Sequence, residues 1–391
     1  RRSLDARDKD DIHYVYTADI KTANESAVLK KNSRNRNISQ VKEHRYTLPE
    51  MGTAALPGRP VITGSGPAGL FCAYMLAVNG YKPILIEQGE DADSRAETVE
   101  AFWNGEKALN PFSNIQFGEG GAGTFSDGKL NSSVHDRDGR NGLVLKIFAD
   151  HGAGKEILYD AKPHIGTDKL RMIVKSMREE IISKGGEVRF NTRLAGINII
   201  DGAIENITLE DLKKSEEYGG QSPKSFYHLP CSILVAAIGH SSHDTFKMFQ
   251  SSGVDMEAKA FAVGVRAEHE QKTINEAQYG ADCDNKYPDL PPADYKLVYH
   301  AKDGHSVYSF CMCPGGYVVD SSSEEGRLCI NGMSYSGRDS RNANAKHSIE
   351  HGLLVSMNCL ALFSVAVSLY GGDRHEADDA LLYSIVQMQR N

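Results

Sequence analysis

Three glycines and one acid carry the clearest chemistry in this chain. The stretch VITGSGPAGLFCAYMLAVNGYKPILIEQ, Val61 to Gln88, places glycines at 64, 66 and 69 and a glutamate at 87. Gly64 permits a tight turn after a short apolar strand. Gly66 lets backbone approach a pyrophosphate, and Gly69 lets the following helix pack closely on a sheet. The helix N-terminus then offers N–H groups and a positive dipole end to phosphate. Glu87 lies 23 positions after Gly64, the spacing at which an acid accepts hydrogen bonds from ribose hydroxyls and repels a 2′-phosphate. The competing reading is a glycine turn without function, and the full order of strand, glycines, helix, strand and acid argues against it. A dinucleotide is the expected ligand.

A second glycine cluster, FGEGGAGTFSDGKL from Phe117 to Leu130, begins 30 residues after Glu87. A chain that binds NAD would continue directly into its next βαβ unit. A longer cofactor with two nucleotide halves, FAD, needs a second loop along its pyrophosphate, and successive backbone N–H groups make such a loop an anion nest. The cluster is not a P-loop, because Lys129 is followed by Leu130 rather than Ser or Thr, and GAGKE at 152–156 fails likewise. A mobile surface loop is the bland alternative.

Candidate reacting groups stand farther along. In GVRAEH, Arg266 and Glu268 share one face of a strand pattern and His269 takes the other. Arg266 suits a substrate carboxylate held bidentately, and His269 suits the proton that accompanies hydride transfer. An ion pair beside a surface histidine explains the same residues. Cys311 and Cys313 in CMC share a strand face and suit a dithiol that exchanges electrons with a flavin. One intervening residue makes an awkward disulfide, however, and buried cysteines are common. No second ligand pair accompanies them, so no metal is expected. His240 and His243 in GHSSHD read as loop histidines.

The elements that must position these groups follow from periodicity. Ile12 to Asp19 alternates like a half-buried strand. ALPGRP at 55–60 reads as a linker. A βαβ unit starts at Val61, and a helix runs from about Thr167 to Lys184 with a glycine stop and a strand after it. Stretches from Thr192 to Leu209 and from Ser225 to His228 alternate as a β-meander, and SILVAAIGHSS is an apolar strand that ends in Gly239. Beyond Phe249 the pattern is mixed and loop-rich, as suits a substrate domain. The uncharged run Leu353 to Tyr370 is 18 residues long, near the minimum for a bilayer span. It carries Ser356, Asn358, Ser364 and Ser368 without flanking Lys or Arg clusters, so it reads as a buried core element.

Composition bounds the function classes. With 391 residues, 40% of them hydrophobic, the chain has room for two or three cores and for an enzyme. The 44 basic residues against 52 acidic ones give a net charge of −8, the wrong sign for affinity drawn from nucleic-acid phosphates. Seven cysteines without repeated spacing indicate a reducing compartment, and the expected location is the cytoplasm. A start at Arg1 in a charged run suggests that the natural N-terminus lies upstream.

VITGSGPAGL with ILIEQG, then FGEGGAGTFSDGKL, PHIGTDKL, VAAIGHSSHDTF, FAVGVRAEHE, YSFCMCPGGYVV and NGMSYSGRDSRNANA together resemble the bacterial FAD-dependent dehydrogenase-like flavoproteins. That family belongs to the wider glutathione-reductase-like group and is loosely called NAD(FAD)-utilizing dehydrogenases. The resemblance runs from RRSLDAR to Ala345. It implies an α/β fold with a Rossmann-like FAD-binding domain at 56–245, parallel sheet plus β-meander, interrupted by a mixed α+β substrate domain at 246–350. A small α/β domain precedes it at 1–55, and residues 351–391 return toward the FAD domain. It assigns Gly64, Ser65, Gly66, Pro67, Ala68, Gly69, Glu87 and Gln88 to the ADP half. Gly120, Gly121, Gly123, Thr124, Ser126, Gly128 and Lys129 fall to the pyrophosphate and flavin side, and Gly239 to the strand end near the cofactor. The C-terminal glycine-rich strand–helix turn that closes such sites is not recognisable after Ala345, so a truncated sequence is expected. No second G-x-G-x-x-G follows a strand in 130–391. NADH or NADPH would therefore act as a transient reductant entering through the substrate domain, or a partner protein would donate electrons. The implied activity is an FAD-dependent oxidoreductase of undefined small-molecule substrate, with no membrane or nucleic-acid partner. A flavin-binding sensor or scaffold without turnover, and an RNA-modifying flavoprotein using the basic segment Lys30 to Arg45, are the alternatives.

Overall fold

The computed structural model describes residues 1–41, 45–50, 52–125, 128–130, 136–213, 225–257, 263–268, 270–300, 302, 306–309, 312, 314, 316–334 and 356–361. The chain opens with strands β1 (Arg2–Asp5) and β2 (His13–Tyr16), paired antiparallel, then helix α1 (Glu25–Lys31). The alternation over Ile12 to Asp19 predicts a half-buried strand; instead all four residues of β2 are exposed, and only Ile12 beside it is buried. A two-stranded ribbon has no covering layer of its own, so alternation alone cannot bury either face. Ile12 reaches a core by joining Tyr279, Cys283 and Ala293.

The centre of the molecule is a four-stranded parallel sheet in the order β5-β4-β3-β9, formed by β3 (Val61–Thr63), β4 (Ile84–Ile86), β5 (Glu187–Arg189) and β9 (Leu234–Ala236). β3 and β4 are three residues long and fully buried, as parallel strands covered on both faces require. Their side chains divide by alternation. Ile62 and Leu85 join a core made with α2 (Pro67–Val78), α4 (Arg140–Asp150) and α5 (Thr167–Ser183). Val61, Ile84 and Ile86 join another made with the antiparallel meander β6 (Thr192–Ile200), β7 (Ala203–Asp211) and β8 (Ser225–Pro230), and with α6 (His243–Ser251). The sheet is thus sandwiched between helices and a meander. The sequence reading of the βαβ unit, of α5 and of the meander agrees with these elements.

Helix α3 (Ala92–Trp103) follows β4 and faces the second glycine segment. The C-terminal part begins with β10 (Val263–Glu268), α7 (Gln271–Tyr279) and α8 (Cys283–Lys286). It continues through β11 (Val298–His300), β12 (Ser306–Ser309), β13 (Tyr317–Asp320), β14 (Ile330–Met333) and β15 (Ser356–Ala361). An antiparallel sheet orders them β10-β15-β12-β11, and β13 pairs with β14 as a hairpin. Val319 and Met333 of the hairpin pack on Ala96, Val99, Ile115 and Phe125. Trp103 Nε1 donates to the Asp320 carbonyl at 2.9 Å and Gln116 Nε2 to that of Ser321 at 2.6 Å. Of the uncharged run Leu353 to Tyr370, residues 356–361 form the strand between β10 and β12; the rest lies outside the described residues. Among the described residues no helix is long and apolar enough to cross a membrane.

Candidate functional site

A cleft of about 560 Å³ opens at the C-terminal ends of β3, β4 and β9, where open parallel sheets hold their ligands. Its floor is Thr63 and Gly64, Glu87 and Gln88, and the segment Ala236 to Ser242; Gly66, Pro67 and Ala68 at the start of α2 form one wall. Opposite lie Gln116 to Gly118 and Gly121 to Gly123, while Thr192, Leu194, Phe246 and Phe249 close an apolar end.

The α2 helix meets the cleft with its N-terminus. Gly66 is the N-cap, without a side-chain cap, and Pro67 is pre-organised for the first turn. First-turn N–H groups left by this arrangement are the ordinary receptors for phosphate. Close approach underlies the glycine pattern. A Cβ on Gly69 would stand 1.8 Å from the Gly64 carbonyl oxygen, and one on Gly64, at φ +93°, would stand 2.3 Å from that of Ala237. A Cβ on Gly66 would meet nothing closer than Gly121 Cα at 3.9 Å. The protein therefore leaves room at Gly66 that it does not itself use.

The two glycine loops are tied to each other. Gly120 N–H donates to the Ser65 carbonyl at 3.0 Å. Glu87, 5% exposed, joins them further. One of its oxygens accepts from Ser65 N–H at 2.7 Å and Ser65 Oγ–H at 2.8 Å. The other accepts from the N–H groups of Gly89 at 2.9 Å and Gly118 at 3.1 Å. The carboxylate that the spacing aims at ribose thus has four donors from the protein.

Arg95, which sequence reasoning missed, shapes the second loop from behind. Its guanidinium is fully buried and donates to the carbonyls of Asn114 (2.8 Å), Ile115 (2.6 Å), Glu119 (2.8 Å) and Gly121 (2.9 Å), and to Thr124 Oγ1 (2.7 Å). The ring of Phe125 lies 4.8 Å from it, within cation–π range. Burial pulls its pKa down to about 10, against the attraction of Glu87, Glu119 and Glu90, so it remains charged at neutral pH. A signal existed in the sequence. Ala92, Ala96 and Val99 form the buried stripe of α3, and Arg95 occupies that same stripe.

Glu119, 1% exposed, accepts from Ala92 N–H at 2.8 Å and lies 3.4 Å from Arg178, while its Oε1 is buried without a hydrogen-bond partner. Burial raises its pKa, outweighing Arg178. The folded state therefore holds this proton to higher pH than the unfolded chain does. Its contribution to stability is present below the ordinary glutamate range and is lost as pH rises through the raised value. Glu119→Gln, which mimics the protonated group, is expected to be more stable than the wild type at pH 7. The two should converge near pH 4, read as urea midpoints across a pH series.

The remaining candidates are dispersed. Gly123 and Gly239 line the cleft, as does His240. Ser241 Oγ contacts Gln116, and His243 is the first residue of α6, its Nδ1 in contact with the Glu324 carboxylate of the β13–β14 hairpin, rather than lying in a loop. Gly128 and Lys129 sit outside the cleft lining, where Gly128 accepts from Ile165 N–H at 2.8 Å and Lys129 bridges to His164. Arg266 lies in β10 opposite Asn358 of β15. Ser126, His269, Cys311 and Cys313 lie outside the described residues. Burial raises the thiols of Cys72, Cys231 and Cys283, which makes them poor nucleophiles. Among the described residues no group of three or more His, Cys, Asp or Glu is placed to hold a metal ion.

An uncharacterized protein of Clostridium beijerinckii is 46% identical over 346 residues, which is 88% of this chain and 61% of that protein. The chain thus spans about three-fifths of its relative. A flavoprotein/dehydrogenase from Cytophaga hutchinsonii has a similar structure at TM-score 0.35 and 11% identity, covering 83% of this chain and 60% of that one. The glycerol-3-phosphate dehydrogenase from Bacillus halodurans complexed with FAD gives 0.33 and 11%, covering 70% and 46%. Both scores are low, so the chemistry of the cleft rests on its own geometry. Residues 260–358 match the family model described as FAD-dependent protein, C-terminal domain-like.

Proposed function

We propose that this chain is an FAD-dependent oxidoreductase whose small-molecule substrate is undefined. The observation that carries the proposal is the unfilled approach at Gly66, set between the N-terminus of α2 and a second glycine loop fastened to the first. A cradle that a Cβ would fill, lined by backbone rather than by side chains, fits a pyrophosphate. The match of residues 260–358 to a C-terminal domain of FAD-dependent proteins supports FAD over NAD as the dinucleotide.

In this reading Gly64, Gly66, Pro67 and Ala68 hold the pyrophosphate, and Gly121 and Gly123 lead toward the flavin. Leu194, Phe246 and Phe249 supply an apolar end suited to adenine. When bound, flavin supplies the two-electron chemistry, and the protein supplies position and electrostatics. Arg95 and Glu119 act from behind the second loop and hold its backbone in place. Arg266 and His269 are proposed for substrate anchoring and proton transfer, and Cys311 and Cys313 for electron exchange, each on sequence grounds. NADH or NADPH, or an electron-donor protein, would reduce the cofactor. A cytoplasmic location accords with the cysteine usage.

The visible absorbance of the purified chain, before and after anaerobic NADH or NADPH, tests this reading. A flavin spectrum that bleaches is expected. A chain that binds no FAD overturns the proposal, and bound flavin that neither nucleotide nor dithionite reduces favours a binding protein without turnover. Gly66→Ala is the matching variant. The N-cap φ of −63° admits alanine and the nearest atom is 3.9 Å away, so unfolding free energy should change by less than about 1 kcal/mol. Flavin affinity, read by titration, should fall more than about tenfold, because only the ligand competes for that space.

A further inference from the structure

A second cavity, of about 390 Å³, opens where three distant parts of the chain meet. One wall is β1 with Tyr14 of β2, another lies between Glu156 and His164 ahead of α5, and the third runs from the end of α7 to Asp294. Among the described residues it shares no lining with the cleft at the parallel sheet. Small ligands bind in such cavities at the junctions of a fold, and bind best where the walls are already formed. These walls are pinned by their own hydrogen bonds. Arg2 N–H donates to the Tyr159 carbonyl at 2.7 Å, and Ala161 N–H to that of Arg2 at 2.8 Å. Gln271 Nε2 donates to the Ala293 carbonyl at 2.8 Å, Ala293 N–H to Asn275 Oδ1 at 2.9 Å, and the Tyr279 hydroxyl to the Pro291 carbonyl at 3.1 Å.

Two ion pairs line this cavity, and each has capacity beyond its partner. Asp160 grips the Arg2 guanidinium at Nε (2.7 Å) and Nη2 (2.9 Å), while the rings of Tyr14 and Tyr159 lie 5.5 and 5.4 Å from it. A guanidinium held by that edge turns its Nη1 edge away from the carboxylate, where it suits a second bidentate acceptor. Lys162 Nζ donates to Asp294 Oδ1 at 2.6 Å, and a carboxylate accepts at both oxygens. The fixed charges are Arg2 and Lys162 against Glu156, Asp160 and Asp294. A dianion would add to that acidic excess, and an amine alone would set its hydrocarbon against the Arg2 edge. Among the described residues these acids are not placed to hold a metal ion. A ligand that carries both charges meets both requirements and leaves the net charge unchanged.

We propose that this cavity binds a zwitterionic amino acid with an apolar side chain. Its carboxylate lies on Arg2, its ammonium on the acidic side formed by Asp160 and Asp294, and its side chain against Leu4, Ile157 and Pro291. The assignment stands apart from the dinucleotide reading of the other cleft.

Isothermal titration of the purified protein with L-leucine and with L-phenylalanine tests it, each beside two analogues that lack one charge. Isocaproate and hydrocinnamate lack the amine, and isoamylamine and phenethylamine lack the carboxylate. The amino acids are expected to bind, and every analogue to bind at least about tenfold more weakly than its parent, because each loses a charge-assisted contact. Asp294→Asn should weaken amino-acid binding about fivefold or more. Its melting temperature should stay within about 2 °C of wild type, since the pair with Lys162 lies at the exposed rim. The assignment is overturned if neither amino acid binds, if an analogue binds as tightly as its parent, or if Asp294→Asn binds them as the wild type does.

Discussion

Arg95→Ala is expected to remove on the order of 5 kcal/mol of stability and to abolish flavin retention. Truncation leaves the carbonyls of Asn114, Ile115, Glu119 and Gly121 and the hydroxyl of Thr124 without the cation that gathers them. Each buried acceptor deprived of its donor costs about 1–3 kcal/mol, and partial relaxation or water entry keeps the sum below simple addition. The loss is still comparable to the whole stability of an ordinary domain. Packing is lost as well, because the guanidinium covers the Phe125 ring and the Arg95 side chain fills space beside Gly118. Urea unfolding with the visible spectrum as a second probe measures both effects. Arg95→Lys separates charge from geometry. Lysine keeps the cation and has three donors on one atom, whereas the arginine fork serves five acceptors in different directions. The lysine variant should recover less than half of the lost stability; near-complete recovery would mean that charge alone, not the fork, organises the loop.

The architecture of the cleft was largely legible because local rules determine it. Glycine at a tight turn, a helix N-terminus and a short buried strand each have one steric or electrostatic reason, and none needs knowledge of distant residues. The meander was legible for the same reason, since its alternation matches one buried face. Illegible were the groups whose partners come from far away. Arg95 bonds residues 19 to 29 positions ahead of it, and nothing in the spacing of the second loop says that a cation must stand behind it. Glu87 was placed correctly at the end of β4, but its bond to Gly118, 31 positions away, emerges only when both loops are folded together. The strand at His13–Tyr16 shows the reverse error. Its alternation satisfied a local rule, and the missing layer above it was a tertiary fact.

Gly69→Ala sets two opposed effects against each other, and their magnitudes decide the outcome. Alanine in a helix is worth about 1 kcal/mol over glycine, partly through the unfolded chain. Against this, the added methyl would stand 1.8 Å from the Gly64 carbonyl oxygen, 3.0 Å from the Gly64 carbonyl carbon and 3.2 Å from Ala237 Cβ. None of these is the far end of a flexible side chain, so α2 must move outward as a body. Overpacking of a tight interior contact costs about 1–3 kcal/mol, and rigid backbone on one side puts this case at the upper end. A net loss of about 2 kcal/mol is expected, measured as a lowered urea midpoint. The displacement also carries the first turn of α2 away from the floor formed by Gly64 and Ala237, so flavin affinity should fall together with stability. That pairing distinguishes the two glycines physically. At Gly66 the space belongs to the ligand and only affinity should change; at Gly69 it belongs to the fold, and a variant as stable as the wild type would show that α2 does not depend on this contact for its position.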